Sequence, residues 1–131
     1  MSQDRLTLIL LATSDLKRSV AFYEGVFGWP RVVDAPVTVQ FALPGGLCLG
    51  LYVESGFAAN TGTTPSRPGP GTTSGTELYL HPENLEATLE RMERAGGRLL
   101  SPLTPRGWGD EAAYFADPDG NVVVLARPLP R

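Results

Sequence analysis

One histidine and one cysteine are the sole members of the two most reactive side-chain types in this 131-residue sequence. His81 follows Glu77 and Tyr79 at alternate positions, and strand residues two and four apart project from one face. At ~3.3 Å per residue the Glu77 and His81 backbones are ~13 Å apart, too far for joint chelation. His81-Pro82 closes the strand, so His81 reads as a rim residue that makes a hydrogen bond. Glu77 is a carboxylate among apolar neighbours, a setting that can raise an acid toward neutrality and make it a general base. Cys48 lies between Leu47 and Leu49 with no basic neighbour to stabilise a thiolate, which marks a structural thiol. DPDGN at 117–121 has its glycine at the fourth position and Pro128 at the twelfth, where a calcium loop needs glycine sixth and glutamate twelfth. It is a hairpin turn. Trp108 stands between glycines in PRGWGDE, free to close over a planar ligand, with Asp110 and Glu111 as solvated turn charges beside it. Trp29, ahead of Pro30, packs under a sheet. The chain has no phosphate-binding glycine motif and no serine elbow.

The elements that must position these groups fit a single domain of 14.0 kDa. Net charge is −3, the sequence pI is near 5.1, and no Lys or Arg run occurs, so neither nucleic acid nor an anionic membrane surface is an expected partner. The apolar run around Leu8–Ala12 is far short of the ~20 residues of a membrane helix, and Met1-Ser2-Gln3-Asp4 is no signal start. A cytoplasmic location is expected. A lone cysteine closes no internal disulfide.

Residues 5–13 read as a strand leading to Ser14-Asp15, residues able to cap a helix. Leu16, Val20, Tyr23 and Phe27 then form one helical face, stopped by Gly28. RVV at 31–33 is a short strand, and residues 37–53 form a hairpin about Gly45-Gly46. Residues 55–75 hold sixteen Gly, Pro, Ser or Thr in twenty-one positions without a period, a linker between module one (1–54) and module two (76–131). Module two repeats module one. Leu16, Val20, Tyr23 and Gly28 recur 69 residues later as Leu85, Leu89, Met92 and Gly97, and a hairpin follows across Asp119-Gly120. The fold class is α+β, two βαβββ modules in tandem forming paired curved mixed sheets with helices outside.

The repeat, SDLKRSVAFYEGVFGW at 14–29 and WGDEAAYFADPDGNVVVLARP at 108–128 together resemble the vicinal oxygen chelate superfamily, which holds glyoxalase I, extradiol dioxygenases and bleomycin-resistance proteins. The resemblance covers nearly the whole chain. It implies a cleft between the modules, often completed by a second chain, with a divalent metal on side chains from the first and last strand of each module. Its four positions fall here on Leu8, Gly50, Glu77 and Val124. Three of these carry no donor, whereas a catalytic metal needs about three protein ligands. No metal and no other cofactor is expected.

Two-residue turns at Gly45-Gly46 and Asp119-Gly120 would set Phe41 opposite Gly50, Val39 opposite Tyr52 and Phe115 opposite Val124, all on the cleft face. The expected ligand-binding residues are therefore Phe41, Tyr52, Glu77, Tyr79, Trp108 and Phe115. The reading that fits the donor-free positions is a metal-independent small-molecule binding protein similar to the bleomycin-resistance branch, holding an apolar or aromatic ligand that can carry a cationic group. Two alternatives stand beside it: a metal-independent enzyme with Glu77 as general base, and a glyoxalase-type metal-dependent lyase or dioxygenase. A homodimer is expected in each case.

Overall fold

The computed structural model describes residues 2–130. In module one, β1 (Leu8–Thr13) leads into α1 (Leu16–Phe27), followed by β2 (Arg31–Asp34), β3 (Thr38–Ala42) and β4 (Cys48–Val53). Asp15 caps α1 by accepting a hydrogen bond from the Arg18 amide. At the other end Gly28, with φ of 65°, donates its N–H to the Glu24 carbonyl. The sheet order is β1-β4-β3-β2, with β1 parallel to β4 and the other pairs antiparallel. Leu11, Val39, Phe41, Leu49 and Leu51 are buried on one face of this sheet, and Val20, Phe22, Tyr23 and Val26 are buried on α1.

Module two repeats the plan with β5 (Glu77–Leu80), α3 (Leu85–Arg94), β6 (Arg98–Pro105), β7 (Asp110–Ala116) and β8 (Val122–Pro128). Its order, β5-β8-β7-β6, is that of the first sheet, and β5 runs parallel to β8 as β1 does to β4. Asn84 takes the capping role of Asp15 and accepts from the Ala87 amide. On one face of the sheet Arg127 reaches back to Glu111 and to Glu86 of α3, at 2.5 and 2.6 Å. That ion pair ties α3 to the face carrying Val123, Leu125, Ala113 and Phe115, all buried.

The stretch read as a linker starts with a helix instead. α2 (Glu54–Thr61) follows β4 directly and ends at Gly62, whose φ is 76°. None of its residues is buried, so it carries no apolar period that the sequence could reveal. The chain divides into two compact units, one ending at Ser66 and the other starting at Arg67, with Gly25–Phe27 grouped with the second. No helix among the described residues is long and apolar enough to cross a membrane.

Both hairpins close by three-residue loops. The Leu43 amide bonds the Leu47 carbonyl across Pro44, Gly45 and Gly46, and the Asp117 amide bonds the Asn121 carbonyl across Pro118, Asp119 and Gly120. The extra residue moves every pairing by one. Phe41 faces Leu49 and Gln40 faces Gly50; Phe115 faces Val123 and Tyr114 faces Val124. Because side chains alternate, a slip of one residue sends a strand's side chains to the opposite face.

Candidate functional site on module two

In module one the face shared by Leu8, Leu10, Gln40, Gly50 and Tyr52 is closed by its own side chains. A Cβ built on Gly50 would lie 2.5 Å from Leu10 Cδ2, 3.0 Å from Gln40 Cγ and 3.4 Å from Leu8 Cδ1. The Tyr52 ring lies against Gly56 of α2 and fills the space where a side chain would be. Tyr52 is therefore a half-buried packing residue within module one.

The matching face of module two is different in kind. Its floor is Ala112, Val124 and Ala126, all fully buried, with Tyr114 and Val122 packed against them. β5 contributes Glu77 and Tyr79, which pair with Val122 and Val124, and His81 follows just past its end. The β6–β7 hairpin brings Trp108 and Asp110 to the same place. The Trp108 indole N–H donates to Tyr79 Oη at 2.8 Å, and Tyr79 Oη donates to Asp110 Oδ2 at 2.6 Å. His81 Nε2 lies 2.9 Å from the same carboxylate oxygen, and its ring meets the Tyr79 ring edge-on at 5.8 Å.

These contacts fix the direction of the hydrogen bonds. The bond from Tyr79, and then that from His81, hold the Asp110 carboxyl below its ordinary range, so it accepts from both. Burial first, and then donation to Asp110, push the Tyr79 phenol above its usual value, which keeps it protonated. The sequence Trp108 N–H to Tyr79 O–H to Asp110, met from the other side by His81 N–H, is a chain in which each bond polarises the next. Arg106 braces the hairpin behind it. Its guanidinium donates to the Ala112 and Pro102 carbonyls and to Ser101 Oγ, and lies 4.9 Å from the Tyr114 ring centroid.

Of the six expected ligand residues, Tyr79 and Trp108 come together, hydrogen-bonded and 40% and 60% exposed. Phe41 and Phe115 are corrected: the shifted register places them on the opposite, buried faces of their sheets. Glu77 shares the face of Tyr79 but is exposed, because it is the first residue of an edge strand. Trp29 is half-buried, its ring 6.5 Å from that of Phe41. Asp110 is no solvated turn charge; with its side chain only 14% exposed it joins Tyr79 to His81. Tyr114 and Arg106 were also absent from the expected set. The alternation of Asp110, Ala112 and Tyr114 along one strand was a usable signal for two of these three.

The family model of the Glyoxalase/Bleomycin resistance protein/Dioxygenase superfamily matches residues 5–125. The chain belongs to this superfamily. The glyoxalase superfamily assignment extends to relatives of similar length. A glyoxylase-like domain-containing protein of Didymella fabae is 26% identical over 128 residues, 92% of this chain and 91% of its own. A glyoxalase-related enzyme from Fulvimarina pelagi has a crystal structure that superposes with a TM-score of 0.80 at 28% identity, covering 93% of this chain and 86% of that one. The metallothiol transferase FosB of Lysinibacillus sphaericus is 38% identical over 60 residues, 46% of this chain and 42% of its own.

The metal that the superfamily resemblance implies does not fit the residues present. Leu8, Gly50 and Val124 offer no donor atom, and the Gly50 position is closed over by Leu10 and Gln40. Among the described residues no three His, Cys, Asp or Glu side chains gather closely enough to hold an ion. The polar groups that do gather are Tyr79, His81, Trp108 and Asp110, arranged to bond one another.

Proposed function

We propose that this glyoxalase-superfamily chain is a metal-independent small-molecule binding protein whose aromatic ligand lies on the module-two face beside Tyr79 and Trp108. The observation that carries the reading is the state of those two rings. Both are substantially exposed, yet both are held in one orientation by hydrogen bonds. Exposed apolar rings fixed in advance lose little freedom when a planar molecule stacks on them. The donor-free character of Leu8, Gly50 and Val124 supports independence from metal.

The alternative that makes Glu77 a general base lacks its physical support, since an exposed carboxylate at a strand end is not in the apolar surroundings that tune such a base. The metal-dependent reading, in keeping with the name of the FosB relative, lacks a donor set at the implied positions. A homodimer remains part of the proposal, supported by exposed Val32 and Val33 on edge strand β2 and Leu99 and Leu100 on edge strand β6. Light scattering should give twice the 14.0 kDa chain mass, and a monomer at micromolar concentration would refute it.

The binding test uses a Trp29→Phe background so that Trp108 alone reports. Titration with 4-nitroanisole should quench its emission saturably, to the same extent with and without EDTA. Loss of all quenching on chelation, or an unchanged calorimetric affinity in Tyr79→Ala with Trp108→Ala, would overturn the proposal.

A further inference from the structure

We infer that His81 is a proton acceptor aimed at the bound molecule, so that the ligand class of this face is an aromatic hydroxyl compound held as its phenolate against an imidazolium. The inference rests on the proposed binding face and goes beyond it by naming the group recognised. It starts from the tautomer. Asp110 Oδ2 receives the Tyr79 hydroxyl at 2.6 Å and carries no proton of its own, so the contact at 2.9 Å must be donated by His81 Nε2–H. The neutral imidazole is thereby left with its lone pair on Nδ1. No hydrogen bond to Nδ1 comes from any described residue, and the His81 side chain is 52% exposed. An imidazole oriented by a carboxylate through one nitrogen, with the other open, is the arrangement that accepts a proton and stabilises the resulting cation.

The surroundings set what delivers that proton. The imidazole meets the Tyr79 ring edge-on at 5.8 Å, and Trp108 is bonded to the Tyr79 hydroxyl; these two rings suit a planar aromatic body. The titratable groups in contact with His81 are Asp110 and Tyr79. Glu77 lies farther back along the same strand face, Arg106 directs its donors to Ala112, Pro102 and Ser101, and Glu111 and Arg127 pair with each other on the opposite face of the sheet. No cation among these competes for an incoming phenolate, and the carboxylate of Asp110 balances the imidazolium once formed. The step is a reversible transfer: the ligand O–H bond breaks, the proton moves to Nδ1, and the electron pair stays on the ligand oxygen.

The experiment compares 4-nitrophenol with 4-nitroanisole, which has the same ring and no acidic proton. Expected is tighter binding of the phenol by about tenfold, the low end for a charge-assisted hydrogen bond. Its visible phenolate band should appear on the protein about one pH unit below the midpoint of the free probe. His81→Gln should abolish both differences, with a cooperative thermal melt showing that the variant is folded. Asp110→Asn, a change at a positioning residue, should move the band midpoint back toward the free probe. Equal affinities with no shift of the band, or a shift that persists in His81→Gln, overturn the inference but keep the binding face. Binding of neither probe removes the proposed function and this inference together.

Discussion

Replacing Gly50 by alanine tests whether the face of module one is closed as described. The added Cβ would come within 2.5 Å of Leu10 Cδ2 and 3.0 Å of Gln40 Cγ. Contacting carbons sit ~3.5–4.0 Å apart, so the Leu10 side chain must retreat by ~1 Å. Overpacking of this kind costs ~1–3 kcal/mol. Leu10 is half-buried and its end can rotate, which places the cost in the lower part of that range, ~1.5–2 kcal/mol. Against it, removing a glycine from a strand interior recovers ~0.5–1 kcal/mol of conformational entropy. The net expectation is a loss of ~1 kcal/mol, or a Tm about 4 °C lower for a chain of this size. Thermal and urea unfolding of Gly50→Ala, Leu10→Ala and the double variant would measure it. Since Leu10→Ala removes the atom that the new methyl meets, the double variant should be more stable than the sum of the singles by ~1 kcal/mol. Strict additivity with a neutral Gly50→Ala would mean that Leu8 and Leu10 leave an open position there, and the case against a ligand at that position in module one would fail.

Tyr79→Phe deletes the largest cause of the lowered Asp110 titration, so Asp110 should titrate closer to an ordinary carboxyl group, readable by carbon NMR of the side chain. A depressed folded-state value contributes stability above the ordinary carboxylate range and loses it as pH falls through the depressed value; the parent should therefore exceed Tyr79→Phe in stability at neutral pH, with the gap closing in acid. Trp108→Phe should remove most acrylamide-quenchable indole emission, because the remaining Trp29 is half-buried, while changing stability by less than ~0.5 kcal/mol. Gly120→Ala puts a side chain at φ of 85° and within 2.8 Å of Pro68 Cγ, and should cost at least ~1–2 kcal/mol in a thermal melt.

The fold was legible wherever local chemistry decided it. Asp15 announces its helix by capping, and the 69-residue repeat of Leu16, Val20, Tyr23 and Gly28 announces the duplication. The hairpin register was not legible in the same way. Gly45-Gly46 and Asp119-Gly120 look like two-residue turns, but Pro44 and Pro118 belong to the loops too, and one residue more in each loop exchanges Phe41 for Gln40 and Phe115 for Tyr114 on the face in question. Helix α2 escaped for want of any buried face. The site itself depends on contacts that no local pattern encodes: Trp108 and Asp110 are 29 and 31 residues from Tyr79 and meet it only once β5 and the β6–β7 hairpin share a sheet. Sequence spacing could place Tyr79 and His81 side by side. It could not supply the carboxylate that joins them.

The duplication carries a consequence for stoichiometry. By the offset that relates β5 to β1, the module-one counterparts of Tyr79 and His81 are Leu10 and Ala12, and by the offset that relates β7 to β3 those of Tyr114 and Asp110 are Gln40 and Pro36. The architecture is doubled while its chemistry occurs once. On the proposed reading of the module-two face, one molecule should saturate each chain, with an isotherm free of a second, weaker class of sites.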